Sequence, residues 1–428
     1  MYDARRYDCE SVSGMVMEVD LGKLSSEDFT VLERLRQVGC AWIVGGWVRD
    51  TLIDSPKTDL DIATDLDIAT DLTPEEVKKI FPRSIAVGEK FGTIMVRLET
   101  GEQTWEVTTL RSEGSYGDGR RPDNVEFGDS IEGDLSRRDF TINAMAIDSE
   151  GKLIDLFNGA ADLEAGILRT VGNASDRLGE DGLRIMRAFR FLDAEKHGIR
   201  QMNSELTKAI SSNLKMLDKV SRERIGSELL QILSKPNRDE IVSMMNSLGV
   251  LNAILSDIES SQIQNISGDE ITALAKICSN DSRSGDEISA SLRKSLKLSK
   301  DQMRLITFLH NNKSIIPSTD LTELRRFRAA LPENFQSALL HYHNAEIIRS
   351  TLSDLPKLQA GNAPIVDGNK LVQVTGLEPS RKLGRLKGWL HRKQIELDLA
   401  EESEVLDWLE NIDWQKDDFE SWPVLVWP

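Results

Sequence analysis

The sequence has little cysteine, few histidines and no long apolar run. Its three cysteines, Cys9, Cys40 and Cys278, lie far apart and form no CxxC pair, so they indicate neither a disulfide framework nor a zinc ribbon. None of the five histidines is followed by aspartate, so a metal-dependent phosphohydrolase is not indicated. No stretch approaches the ~20 apolar residues of a membrane span. We therefore expect a cytoplasmic protein without a membrane partner.

Positive charge is also in deficit, with 53 Lys and Arg against 71 Asp and Glu, a formal net charge of −18. A uniformly basic surface is thereby excluded, and any contact with nucleic acid requires a local basic patch. The content of 39% apolar and 29% charged residues is typical of globular proteins. The length of 428 residues predicts two to four domains.

Local patterns predict a small α/β head followed by a long helical part. A helix is predicted to begin after Ser25 or Ser26, and CAWIV is typical of a buried strand. Thr73 is the expected cap of a second helix, with Glu76 completing a capping box. The segment GTIMVRLETGEQTWEVTTLR predicts a β-hairpin. From about Leu135 onward the pattern is mostly helical, and beyond about residue 160 we see no convincing strand pattern.

The segment IVGGWVRD places Gly45 and Gly46 between a strand and the start of a helix. Such a turn leaves backbone N–H groups free to bind phosphate oxygens. Arg49 follows three residues later and is suited to a bidentate phosphate contact. A Gly-Gly turn alone is more often only a turn.

The stretch TDLDIATDLDIATDL contains nearly the same six residues twice. Aspartates two residues apart on a strand point to the same face, as Asp59 and Asp61 would. Two carboxylates that close together are costly unless cations neutralise them, and Mg²⁺ does so in nucleotidyl transfer. A bare DxD is more often an acidic surface loop, but the Gly-Gly-Arg segment upstream favours a metal site.

The segment DLSRRDFTINAMAID is predicted to carry Arg137, Arg138, Asp139 and Asn143 on one helix. Arg138 is suited to hold a triphosphate, and Asp139 to accept a hydrogen bond from a ribose hydroxyl. The alternative is a surface Arg–Asp pair of little energetic value.

In RLGEDGLRIMRAFRF, Asp181, Arg184, Arg187 and Arg190 recur every three residues, as on one slowly turning helix face. The alternative is a charged surface helix with a Glu180–Arg184 pair. An Asp–Arg pair has a sharper use, because the carboxylate accepts from an exocyclic amine and the guanidinium donates to a ring nitrogen. Cytosine and adenine match that pattern, whereas guanine and uracil leave polar groups unpaired.

In order and spacing these segments, together with EVTTLRSEGSYGDGRRPDNVEF, resemble the class II tRNA nucleotidyltransferases (CCA-adding enzymes) and related poly(A) polymerases of the DNA polymerase β superfamily. The resemblance is dense over about residues 40–195 and weaker towards the C-terminus. It implies an α+β chain with a nucleotidyltransferase head at 25–160, after an N-terminal extension at 1–24. A neck at 161–225, a helical body at 226–345 and a helical tail at 346–428 would follow.

The resemblance also implies template-independent addition of C, C and A to the 3′ end of tRNA, with CTP, ATP and Mg²⁺ and no obligate protein partner. By motif, Gly45, Gly46 and Arg49 would hold triphosphate, and Glu106 would support the metal site. Nucleotide contacts would come from Arg138, Asp139, Arg187 and Arg190, and base reading from Asp181 and Arg184. A poly(A) polymerase and an A-only-adding enzyme remain alternatives, and a catalytically silent RNA-binding protein is the alternative of a different class.

The duplication leaves two candidate metal pairs. The spacing of the family, counted forward from Gly45, selects Asp59 and Asp61, whereas counting back from Thr73 selects Asp65 and Asp67. We expect the upstream side to be rigid and the downstream connection to absorb the six inserted residues. On these grounds Asp59 and Asp61 bind metal, and Asp65 and Asp67 lie in a solvated loop.

Overall fold

A computed structural model of the chain describes residues 17–53, 66–88, 92–111, 127–128, 130–260, 264–416 and 418–428. The chain divides into two compact units, Met1–Ile254 and Leu255–Pro428. The finer division into head, neck, body and tail stays a prediction. No helix in the described ranges is both long and apolar enough to cross a membrane.

The first unit contains a mixed sheet whose order in the described part is β3-β4-β5-β2-β1-β6-β7. Its strands are β1 Ala41–Val44, β2 Asp67–Thr70, β3 Ile85–Gly88, β4 Thr93–Val96, β5 Trp105–Thr109, β6 Ala146–Ile147 and β7 Leu153–Ile154. Strand β2 pairs antiparallel with β1 and parallel with β5. Two short strands, β8 Ile167–Leu168 and β9 Gln201–Met202, form a separate parallel pair.

The helices of the first unit are α1 Ser26–Arg36, α2 Gly46–Leu52, α3 Pro74–Ile80, α4 Ile131–Ser136, α5 Gly159–Glu164, α6 Ala174–Glu180, α7 Leu183–Leu192, α8 Ser204–Asn213, α9 Arg222–Leu233, α10 Arg238–Ser247 and α11 Val250–Ile254. Those of the second unit are α12 Glu270–Ile277, α13 Gly285–Leu296, α14 Lys300–Asn311, α15 Leu321–Ala330, α16 Glu333–Tyr342, α17 Glu346–Asp354, α18 Gly368–Thr375, α19 Arg381–Leu397 and α20 Glu402–Asp407. The described part of the second unit contains no strand.

The predicted local signals are confirmed in the first unit. Ser25 caps α1 in a capping box with Asp28, and Thr73 caps α3 in a capping box with Glu76. Strand β1 forms within CAWIV, and β4 and β5 form the expected antiparallel hairpin. These elements form where predicted because their caps and alternation are encoded within a few residues.

Apolar side chains cover both faces of the sheet. Ile43 and Ile68 belong to one core cluster, and Trp42, Val44 and Ala69 belong to the other. Each fully buried large side chain contributes ~1.5–3 kcal/mol. In the β1–β2 pair, Val44 lies opposite Asp67.

One expectation about secondary structure is wrong, and some short strands were not anticipated. The segment from Arg137 to Asn143 is not one helix, since α4 ends at Ser136 and a separate 3-10 turn spans Thr141–Asn143. Four two-residue strands, β6 to β9, lie after Leu135, and β8 and β9 lie beyond residue 160, where the sequence showed no convincing strand pattern; the described region is otherwise mostly helical, as expected. Strands of two residues have no readable alternation, so only pairing with distant strands reveals them.

Candidate active site

A cavity of about 830 Å³ opens in the first unit at the junction of β1 and α2. Every described residue that the sequence proposed for the site lines this cavity: Gly45, Gly46, Arg49, Asp67, Glu106, Arg138, Asp139, Asp181, Arg184, Arg187 and Arg190. Over its described lining, eight arginines (Arg49, Arg111, Arg137, Arg138, Arg184, Arg187, Arg190, Arg224) face four carboxylates (Asp67, Glu106, Asp139, Asp181). A chain of net charge −18 thus contains a strongly cationic cavity.

The Gly45 turn brings backbone and carboxylate close together. Gly45 has φ 78° and ψ −141°, a conformation that favours glycine. A Cβ at this position would lie 2.5 Å from Oδ2 of Asp67. Both the backbone conformation and the close approach of Asp67 therefore require glycine here.

Asp67 and Glu106 form the carboxylate pair of the cavity. Asp67 opens β2, and Glu106 is its register partner on the parallel strand β5. Side chains at paired positions of neighbouring strands stand on the same face of a sheet. Carboxylate oxygens on one face are the donors that a hard divalent cation prefers. In the described part of the chain no group of three or more potential metal ligands occurs.

The expectation that Asp67 lies in a solvated loop is wrong. Asp67 is the first residue of β2 and lines the cavity, whereas Asp59, Asp61 and Asp65 lie outside the described residues. The connection after β2, which we expected to absorb the six inserted residues, is fixed to Cys40 by two hydrogen bonds. Asp71 accepts a 2.7 Å hydrogen bond from the Cys40 backbone N–H, and the hydroxyl of Thr70 donates a 2.7 Å bond to the Cys40 carbonyl. The carboxylate position is therefore set by strand pairing, not by the distance from Gly45.

A buried carboxylate holds two of the arginines. Asp134 is 1% exposed, and it accepts from Nε of Arg137 at 3.1 Å and from Nη2 of Arg138 at 3.1 Å. Burial alone would raise the pKa of Asp134, but the charges of Arg138 and Arg137 outweigh it and lower that pKa. Asp134 therefore stays ionised and orients Arg138 towards the cavity.

The carboxylate of Asp139 is buried and accepts hydrogen bonds from two protein side chains. Its Oδ2 accepts from Nε of Arg187 at 2.7 Å, and its Oδ1 accepts from the amide of Asn143 at 3.2 Å. Burial would raise the pKa of Asp139, but the charge of Arg187 outweighs it, so the pKa is lowered. Asn143 also accepts a 2.9 Å hydrogen bond from Arg49. This bond links helix α2 to the Asp139–Arg187 ion pair.

Three arginines gather over one aromatic ring. The guanidinium carbons of Arg49, Arg187 and Arg190 lie 5.3, 5.2 and 4.5 Å from the ring centroid of Phe191. The ring of Phe140 supports Phe191 edge-on, with centroids 5.8 Å apart. A π-face attracts cations at these distances, so Phe191 offsets part of the repulsion among three like charges that would otherwise spread apart.

Asp181 and Arg184 lie at the junction of α6 and α7. Oδ1 of Asp181 accepts from the Leu183 backbone N–H at 2.9 Å, and Oδ2 lies 3.1 Å from Nη2 of Arg224. Arg184 donates to the backbone carbonyls of Arg177 and Arg137 at 2.9 and 3.0 Å. It also pairs with Glu180, so the surface pairing considered from the sequence is present within the cavity wall.

Sequence reasoning missed several contributors to this site, among them Asp134, Phe191 and Arg224. Asp134 and Phe191 lie inside recognised segments, but the sequence does not distinguish them from an ordinary acidic residue and an ordinary core aromatic residue. Arg224 lies outside all of those segments, in SRERIGSELLQIL. No local signal distinguishes Arg224 from its neighbour Arg222.

Two family profiles match the chain, mostly within the first unit. The profile described as "Poly A polymerase head domain" matches residues 41–169. The profile described as "Probable RNA and SrmB- binding site of polymerase A" matches residues 201–262.

Curated relatives match over different lengths. A CCA-adding enzyme of Streptococcus pneumoniae (strain CGSP14) is 44% identical over 234 residues, covering 54% of this chain and 55% of that protein. The chain thus spans about half the length of the first curated relatives that it matches. A CCA-adding enzyme of Enterococcus faecalis is 34% identical over 387 residues, covering 86% of this chain and 90% of that protein.

Solved structures agree with the sequence matches. The CCA-adding enzyme of Bacillus stearothermophilus in complex with CTP aligns with a TM-score of 0.72 and 27% identity, covering 90% of this chain and 96% of that one. The Thermotoga maritima CCA-adding enzyme complexed with tRNA aligns with a TM-score of 0.68 at 19% identity, covering 93% of this chain and 99% of that one, which supports the shared fold alone. The match across most of the Enterococcus protein carries the assignment: this chain belongs to the CCA-adding enzyme family.

Proposed function

We propose that this protein adds C, C and A to the 3′ end of tRNA, without a nucleic-acid template, from CTP and ATP. The observation that carries the proposal is the cavity itself. It combines a Gly turn before a helix, a carboxylate pair and eight arginines over its described lining with the Asp181–Arg184 segment. Family membership and the complexes of related enzymes with CTP and with tRNA support the same activity. From these substrates we infer a cytoplasmic reaction.

In this proposal the Gly45 turn and the arginines bind the triphosphate. Gly45 and Gly46, at the start of α2, line the same cavity as Arg49, Arg138, Arg187 and Arg190. Phosphate oxygens are bound well by helix N-termini and by guanidinium groups. Binding the β- and γ-phosphates in this way neutralises the charge that develops on the pyrophosphate as it leaves.

We assign the metal site to the second copy of the repeat. Asp67 and Glu106 provide carboxylate oxygens on one face of the sheet, and their chemistry fits Mg²⁺. We also propose Asp65 as a metal ligand, because it lies two residues before Asp67, as in the DxD pattern of the sequence. When bound, the cation supplies Lewis-acid stabilisation of the transferred phosphoryl group and of the attacking 3′ hydroxyl. Asp67 holds its carboxylate against the Gly45 turn, beside the place proposed for the triphosphate.

Asp181 and Arg184 are proposed to read the base. The carboxylate accepts from the exocyclic amine of C or A, and the guanidinium donates to the adjacent ring nitrogen. Guanine and uracil present the reverse pattern, which would leave buried polar groups unpaired.

The test is incorporation by the purified protein with Mg²⁺, a tRNA that lacks its terminal CCA and each labelled NTP in turn. The proposal expects two C residues and then one A, with no incorporation from UTP or GTP. A tRNA with an intact CCA end is the control and should gain nothing. Failure to add C to the truncated tRNA would contradict the proposal.

A poly(A) polymerase is the second candidate, because both matching profiles are described in terms of that enzyme. The same assay separates the two functions by product length. A polymerase would extend the RNA by many A residues and would not require C. An A-only-adding enzyme would extend a tRNA ending in CC but not one lacking all three nucleotides. An RNA-binding protein would retain the tRNA without extending it.

A further inference from the structure

We propose that Arg224 is a positioning residue for base selection, acting by holding the carboxylate of Asp181 in the orientation that reads the incoming base. This inference rests on the function proposed above and adds a residue outside the recognised segments. Arg224 lines the cavity, and its Nη2 lies 3.1 Å from Oδ2 of Asp181, 43 residues earlier in the chain.

Asp181 and Arg184 are natural partners for each other. Asp181 precedes α7 in an extended conformation, and Arg184 lies in the first turn of that helix three residues later, so their opposite charges are close in sequence. If they paired, both would lose the groups that the base requires. In the structure each is held elsewhere, Asp181 by Arg224 and Arg184 by Glu180 and two backbone carbonyls.

Arg224 is anchored by the packing of its helix. It lies in the first turn of α9, whose residues Ile225, Leu229, Ile232 and Leu233 are fully buried. Glu228, four residues after Arg224 and therefore on the same helix face, has its Oε2 2.8 Å from Nε of Arg190. One face of α9 thus contacts both the proposed base reader and an arginine of the proposed triphosphate site.

The Asp181 carboxylate keeps the capacity to bind a base while Arg224 holds it. Within the described part of the chain each of its oxygens has one protein donor, from Leu183 and from Arg224, and a carboxylate oxygen accepts two hydrogen bonds. An exocyclic amine can therefore bind without displacing Arg224. A carbonyl of guanine or uracil would instead face the oxygen of Asp181. Removing Asp181 would leave Arg224 as a donor at that place, able to bond the carbonyl of the wrong base.

The experiment compares nucleotide binding and incorporation for Arg224→Met, Arg224→Lys and Arg222→Met. Arg222 is the matched control, since it lies on the same helix with 34% of its side chain exposed against 37% for Arg224. It lies 3.7 Å from Asp218 and does not line the cavity. CTP and UTP affinities are measured by titration calorimetry, and KM and kcat for C addition by incorporation into truncated tRNA.

We expect Arg224→Met to weaken CTP binding and raise KM for CTP by about tenfold, the loss typical of one charge-assisted hydrogen bond, with kcat changed much less. UTP binding should not weaken, Arg224→Lys should restore most of the CTP affinity, and Arg222→Met should match wild type. An equal loss for CTP and UTP would overturn the inference, since Arg224 would then act only as a cavity charge. Wild-type CTP affinity in Arg224→Met would overturn it as well.

A double variant provides the second measurement. Asp181→Ala should gain use of UTP, and adding Arg224→Met should remove that gain, because the donor for the uracil carbonyl is then absent. Unchanged UTP use in the double variant would contradict the role given to Arg224. If the wild-type protein binds CTP selectively but extends no tRNA, the proposed function fails while the binding data still decide the role of Arg224.

Discussion

Asp67 and Glu106 are register partners on neighbouring parallel strands, with Asp67 packed against the turn at Gly45. This relationship joins the carboxylates to the phosphate-binding turn through backbone pairing. It therefore selects the second copy of the repeated segment as the proposed metal-binding copy, and it makes the two copies experimentally separable.

The first prediction compares Asp67→Asn with Asp61→Asn, which occupy the same position in their respective copies. Asp67→Asn should lower the rate of nucleotide addition by ~100-fold or more, because a carboxylate facing the reacting phosphate is lost. Asp61→Asn should retain activity, as should deletion of residues 59–64. Single-turnover incorporation of C measures all three. Loss of activity in Asp61→Asn alone would return the site to the first copy.

Base choice is the subject of the second prediction. Asp181→Ala should relax selection towards UTP or GTP while leaving the affinity for tRNA unchanged, because the carboxylate contacts the base and not the tRNA. Competition between NTPs in the incorporation assay measures the first effect, and a filter-binding titration measures the second. Strict use of CTP and ATP at the wild-type rate would show that other residues read the base.

The third prediction concerns the segment between Gly114 and Phe127, of which 114–126 lies outside the described residues. Its glycine-rich, charged sequence between two proposed catalytic segments is typical of elements that gate a site. Shortening it should preserve the addition of two C residues and abolish the addition of A. An equal loss of both steps would count against a switching role.

Phe191 supplies the fourth prediction. Phe191→Leu keeps an apolar side chain but removes the π-face shared by Arg49, Arg187 and Arg190. A cation–π contact at an exposed site contributes ~0.5–1 kcal/mol. Loss of two such contacts should therefore weaken inhibition by pyrophosphate, which the three arginines are proposed to bind, by about tenfold. Phe29→Leu, at an exposed position of α1, is the control. Unchanged pyrophosphate inhibition would reduce Phe191 to a packing residue.

The fifth prediction rests on the lowered pKa of the buried Asp139, whose ion pair with Arg187 outweighs its burial. Because the folded pKa lies below the unfolded value of ~3.9, the pair stabilises the fold above that value and is lost as pH falls through the folded pKa. Asp139→Asn should therefore lower the thermal midpoint at pH 7, with a difference from wild type that narrows below about pH 4. A difference independent of pH would show that ionisation of Asp139 is not the cause.

The sequence was most informative where structure is encoded over a few residues. The caps at Ser25 and Thr73, the strand in CAWIV and the β4–β5 hairpin all form as predicted. Every described candidate for the site also reached the cavity. Motifs succeed here because chemistry requires particular residue types in a particular order.

The errors arose from contacts between distant residues. The second copy of the repeat forms β2 through pairing with β1 and β5, and the hydrogen bonds that join Asp71 and Thr70 to Cys40 hold the downstream side. Arg224 acquires its importance only because α9 packs near the start of α7. A sequence records neither the register of a strand nor the orientation of a side chain 43 residues away.

The tight attachment of β2 to Cys40 has a practical consequence for protein engineering. Because the position of Asp67 is set by the pairing of β2 and by the hydrogen bonds of Thr70 and Asp71, it does not depend on the length of the sequence that precedes the second copy of the repeat. A short peptide epitope inserted into the first copy, residues 59–64, should therefore leave Asp67 paired with Glu106.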